Sequence, residues 1–85
     1  MTIEELQNIF PEASEETWHK HPNGGGWVEN TAHVDNTAYV GIDAVVTENA
    51  LVSENARVFG DARVFGDAQI FGKAWVCGNA QVSGN

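Results

Sequence analysis

Residues 58–82 read VFGDARVFGDAQIFGKAWVCGNAQV, and this stretch decides the fold. A β-branched aliphatic returns at every sixth position: Val58, Val64, Ile70, Val76 and Val82. Two places before the last four stand Ala62, Ala68, Ala74 and Ala80, and two places after the first four stand Gly60, Gly66, Gly72 and Gly78. Counting back by six extends both columns, through Val52, Val46, Val40, Val34 and Val28, and through Ala56, Ala50, Ala44, Ala38 and Ala32. The alanine column ends at Gly26. Such a repeat outranks every other signal in the chain. In an extended chain residues two apart project to the same side. The Ala and Val of each Ala-x-Val therefore face an interior, and the residue between them faces out. The glycine after each valine admits the positive φ that a sharp corner needs. A short strand and a corner, repeated every six residues, wind the chain into a prism.

The motif Val-x-Gly-(Asp/Asn)-Ala-x, as in VFGDAR at 58–63 and VCGNAQ at 76–81, resembles the hexapeptide-repeat family. That resemblance implies a left-handed helix with three hexads in each 18-residue coil, against the right-handed rule for ordinary parallel crossovers. The expected fold is all-β. It is a short left-handed parallel β-helix of about three coils over residues 26–85, after a small N-terminal helical cap and Gly-rich joint over residues 1–25. Asn36, Ile42, Glu48 and Glu54 stand where later hexads have glycine, which predicts less regular early coils.

Thr2 and Glu5 form a capping-box pattern, Ile3, Leu6 and Phe10 a helical apolar stripe, and Pro11 a stop. Residues 14–20 read as a second helical turn carrying Trp18, and His21-Pro-Asn-Gly-Gly-Gly26 as a flexible joint. The ends of a β-helix expose unpaired backbone and open core. Ile3, Leu6, Phe10 and Trp18 are expected to cover the first, acidic end. The end at Ser83-Gly84-Asn85 is expected to pair with a second copy as a homodimer, or to dock on another protein.

Twelve acids against four bases give a net charge of −8 over 85 residues. All twelve acids lie in residues 1–67, whereas residues 68–85 carry only Lys73. This charge opposes direct nucleic-acid binding and attachment to anionic membranes. Cys77 has no partner for an internal disulfide, no apolar run is long enough to span a bilayer, and the start lacks a leader pattern. The expectation is a cytoplasmic protein, in the host cytoplasm if phage-encoded.

Stacking outward residues by 18 places Tyr39, Arg57 and Trp75 in one column, with Gly41, Phe59 and Cys77 beside it. Phe65 and Phe71 project from the other faces. An arginine between aromatics and a set of Tyr, Trp and Arg suit an interface with a partner or second copy; the plainer alternative is a ladder that stiffens the wall. Asp35, Asp43, Glu48, Glu54, Asp61 and Asp67 decorate the corners. Carboxylates along a rigid rod can imitate nucleic-acid phosphates, but acids also stabilise turns through their own backbone.

The family includes acyltransferases and metal-dependent hydratases whose histidines act near subunit boundaries. His19, His21 and His33 are the candidates here, but an H-x-H spacing specifies little. No phosphate loop or nucleophile motif occurs. No catalytic residue, metal or cofactor is assigned, and the protein is read as a non-enzyme. The Gly24-Gly25-Gly26-Trp27-Val28 run leading into a short acidic repeat is similar to small phage and prophage proteins. That resemblance implies a binding protein that inhibits a host defence or nucleic-acid-handling complex, as anti-CRISPR proteins do, by occlusion or nucleic-acid mimicry. The partner would be a host protein or protein–nucleic acid complex. The alternatives are a self-assembling structural module and a miniature acyltransferase.

Overall fold

Each hexad contributes one short strand and one corner, as the period requires. The computed structural model describes residues 2–84; Met1 and Asn85, the last position of the repeat range, lie outside them. Strands 18 residues apart pair in parallel and build three walls. The first wall holds β2 (Trp27–Glu29), β5 (Val45–Val46), β8 (Arg63–Gly66) and β11 (Gln81–Gly84). The second holds β3 (His33–Val34), β6 (Leu51–Val52) and β9 (Gln69–Ile70). The third holds β4 (Tyr39–Val40), β7 (Arg57–Val58) and β10 (Trp75–Val76). Register places like on like: Val28 beside Val46, Val46 beside Val64, Val40 beside Val58. The interior is the valine and alanine columns, with Val28, Val40, Val46, Val52, Val58 and Val64 fully buried. The chain is a parallel β-helix with one short N-terminal helix.

Two kinds of corner close the coils. Each is a four-residue turn in which the alanine N–H donates to a carbonyl three residues earlier. At Ala32, Ala38 and Ala44 that bond measures 2.9–3.0 Å, and Asn30, Asn36 and Ile42 keep ordinary negative φ. At Ala50, Ala56, Ala68, Ala74 and Ala80 it measures 3.4 Å. There the first central residue has φ between +61° and +70°, and it is Glu48, Glu54, Gly66, Gly72 or Gly78. The early coils were expected to be irregular where glycine is missing. Instead, Glu48 and Glu54 adopt the glycine conformation, and the difference is confined to the corners at 30, 36 and 42.

The cause lies one coil above. Glu29 Oε1 accepts from Glu48 N at 2.7 Å, and Thr31 Oγ1 donates to the Glu48 carbonyl. Asp35 Oδ2 accepts from Glu54 N at 2.9 Å, and Thr37 Oγ1 donates to the Glu54 carbonyl at 2.7 Å. A side-chain bracket thus holds both peptide groups in a geometry that costs a non-glycine residue about 1–2 kcal/mol. On the third column, Gly41 offers no such side chain to the corner below, and that corner has Gly60 at φ +70°.

The N-terminal arm corrects three expectations. The helix α1 (Ile3–Ile9) forms with its capping box, Thr2 accepting from Glu5 N and Glu5 from Thr2 N. It does not cover the first end. Leu6, Ala13 and Trp18, with Ile3 and Phe10 beside them, bury Trp27 and Val45 on the outer side of the first wall. Two apolar outward residues one coil apart need cover, and the helix stripe supplies it. Residues 18–20 are not helical: β1 (Trp18–Lys20) runs antiparallel to β2 and pairs the edge of the first wall. The segment 21–26, expected as a flexible joint, is tied to β4 by backbone hydrogen bonds. Its Gly26 N donates to the Val40 carbonyl, and its Asn23 carbonyl accepts from Val40 N. Gly26 interrupts the alanine column because a Cβ there would collide with the Gly41 carbonyl oxygen.

Candidate binding surfaces

The third wall carries the aromatic column. Tyr39, Arg57 and Trp75 are register partners through β4, β7 and β10, so stacking by 18 places them correctly. All three are exposed, Trp75 to 65 %. The Arg57 guanidinium lies 5.8 Å from the Trp75 ring centroid, within cation–π range. Phe59, half-buried on the neighbouring column, meets Trp75 edge-on at 5.8 Å and 75°. The column is a ridge between two grooves. One, of about 340 Å³, is lined by the ridge and Phe59. The other, of about 430 Å³, runs beside Thr37, Asn55 and Lys73. Cys77 is exposed below Phe59.

The other two phenylalanines do not join this surface. Phe71 is 61 % exposed just after β9, on the second wall. Phe65, half-buried in β8, lines a groove on the first wall with Ile9 and Phe10. Phe65 and Phe71 thus project from the other two walls, as the repeat predicts, and Tyr39, Arg57, Phe59, Trp75 and Cys77 lie together on the third.

The acids divide by what they hold. Asp35 serves its bracket and also meets His33 Nε2 at 3.3 Å. Glu48 Oε1 accepts from Gly66 N at 3.2 Å. Asp43 and Asp61 share a shallow groove with Arg63. The exposed Glu54 and Asp67 reach neighbouring coils through backbone: the Glu54 carbonyl accepts from Thr37 in the coil above, and Asp67 N donates to the Gly84 carbonyl in the coil below. Asp35 and Glu48 thus do corner work, and no local pattern signalled that their bonds would span whole coils.

The histidines occupy three separate places. His19 Nδ1 donates to Asn30 Oδ1 at 2.7 Å on β1. His21 is buried and its Nε2 donates to the Ala38 carbonyl at 2.8 Å. His33 lies on the second wall against Asp35. Among the described residues no group of three or more His, Cys, Asp or Glu is placed to hold a metal ion. No helix among them is long and apolar enough to cross a membrane.

Sequence reading missed one surface: a groove of about 690 Å³ between the N-terminal arm and the first wall. The apolar outward pair Trp27 and Val45 was the available signal that something docks on this wall. No family model, curated protein or solved structure matches the chain.

Proposed function

We propose that this protein is a non-catalytic binding protein whose third wall engages a protein partner. The observation that carries the reading is the exposed ridge, with Trp75 open to solvent between Arg57 and Phe59. Tyr, Trp and Arg dominate interface energetics because they bury large area with little loss of side-chain freedom. A rigid wall presents them at fixed spacing, so little ordering cost remains for the complex. The non-catalytic reading is supported by the histidines, each engaged by its own neighbour.

The finer reading is a small acidic inhibitor of a host defence or nucleic-acid-handling complex, built on the hexapeptide-repeat plan. The charge of −8 supports it, since the functional surfaces of such complexes are basic.

The test is capture of partners from bacterial lysate, after nuclease treatment, with the native chain and with the double variant Arg57→Ala, Trp75→Ala. Circular dichroism confirms that both are folded, and light scattering gives their mass. Loss of the same stoichiometric protein from the double variant supports the reading, with a weakening of about thirtyfold or more for a pair of hot-spot residues. Retention of that partner by the double variant would remove the ridge from binding. A dimer that dissociates in the double variant would assign the ridge to self-association.

A further inference from the structure

We infer that the groove between the N-terminal arm and the first wall receives an arginine- or lysine-bearing segment of a basic protein partner. The inference rests on the reading of the chain as a binding protein but assigns a second surface, on a different wall from the ridge.

The floor of the groove is apolar and aromatic. The rings of Phe10 and Trp18 lie 5.1 Å apart at 41°, beside Ile9 and Ala13. Its rim carries Glu12, Glu29 and Glu48. Among the described residues none of these three carboxylates has a cationic partner; the ion pair present is that of His33 with Asp35. Two of them are already aimed. Glu29 Oε1 accepts from Thr47 Oγ1 and Glu48 N, both at 2.7 Å, and Glu48 Oε1 accepts from Gly66 N. Their second oxygens have no protein donor among the described residues. The groove encloses about 690 Å³ and is open along its length, a shape that suits an extended side chain or segment more than an enclosed small molecule.

Charge complementarity selects the occupant. An apolar segment would bury the floor but strip water from three carboxylates and leave them unpaired, which is costly. An anion meets the same carboxylates and the field of a −8 chain. An arginine or lysine satisfies both parts: its aliphatic stem covers Ile9 and Phe10, and its head reaches the rim. A guanidinium over the Phe10 ring adds cation–π attraction, and the free oxygens of Glu29 and Glu48 accept its N–H groups. Two of the chain's four cations are engaged elsewhere, Lys20 at 5.4 Å over the Trp27 ring and Arg57 over Trp75; Arg63 lines the adjoining groove with Ile9, Phe10 and Glu48 but forms no ion pair with Glu48 among the described residues.

The probe is a fluorescein-labelled peptide of alternating arginine and leucine, read by anisotropy at moderate salt. A second probe replaces each arginine with norleucine. The site variant is Glu12→Gln, Glu48→Gln; the charge-matched control is Asp61→Asn, Asp67→Asn. The arginine probe should bind the native chain, weaken roughly tenfold in the site variant, and change by less than about threefold in the control. It should bind Trp75→Ala unchanged, and the norleucine probe should not bind. Equal weakening in both double variants would reduce the attraction to overall charge and overturn the inference. So would binding of the norleucine probe, no binding of the arginine probe, or blocking of the groove by self-association. Loss of the arginine probe in Trp75→Ala alone would overturn it in favour of the ridge, whereas an intact groove beside a ridge that captures nothing would sink only the ridge.

Discussion

The corners at 30, 36 and 42 and the corners that follow them turn the same hexad in two ways. The first three keep negative φ and close with short turn bonds; the later ones take positive φ, and those before Ala50, Ala56, Ala68, Ala74 and Ala80 close with longer bonds. The corners of the first coil need no residue at positive φ, and their side chains are then available to hold the coil below. Glu29 and Thr31, and Asp35 and Thr37, grip the peptide groups of Glu48 and Glu54. Lower coils rely on glycine instead. A left-handed corner can therefore be secured by backbone freedom or by side chains from the neighbouring coil, and this protein uses both within one short stack.

The first coil is itself supported from outside. Asn30 joins it to the arm: its Nδ2 donates to the Glu16 carbonyl and its N–H to the Thr17 carbonyl. The largest expected effect follows from breaking that support. Leu6 is fully buried against Trp18, Trp27 and Val45, so Leu6→Ala should cost about 3 kcal/mol. Hydrogen exchange should show protection falling first in β1 and β2, with β7 and β8 least affected. Uniform loss through all coils would mean that arm and coils unfold as one unit and would erase the distinction between the two regions.

The next effect compares the corners directly. Gly60 has φ +70°, and a Cβ there would lie 2.9 Å from the Gly78 backbone nitrogen. Gly60→Ala should cost about 2 kcal/mol or more by urea denaturation, whereas Asn36→Ala, at the same place in a first-coil corner, should stay within about 0.5 kcal/mol. Similar costs would show that the two corner types share one conformational demand. The smallest effect sharpens the bracket. Asp35→Ala should cost about 1–2 kcal/mol through the lost bond to Glu54 N. Adding Glu54→Gly should recover part of it, because glycine needs no bracket at this φ. Simple additivity of the two changes in a double-mutant cycle would detach the bracket from the left-handed geometry.

Much of this was legible in the residues. The six-residue columns predicted the core, and stacking by 18 predicted the neighbours of Arg57 on both sides, because in-register parallel strands repeat that offset. Thr2 and Glu5 announced the helix start. The segment 14–20 did not read correctly, because the open edge of β2 offered its backbone better partners than a lone helical turn could. The columns placed Tyr39, Arg57 and Trp75 on one wall and Phe65 and Phe71 on the other two, but no spacing said that Phe65 would share a groove with Ile9 and Phe10 of the arm.

The sequence by itself determined which side chains face in, which face out, and where the chain turns, because these depend on residues two and six apart in a periodic strand. Tertiary structure decided where the arm lies, which glutamates take a glycine's conformation, and that an acid-rimmed aromatic groove exists. Each of those depends on groups brought together from distant parts of the chain, and a local pattern carries no record of contacts that only stacking creates.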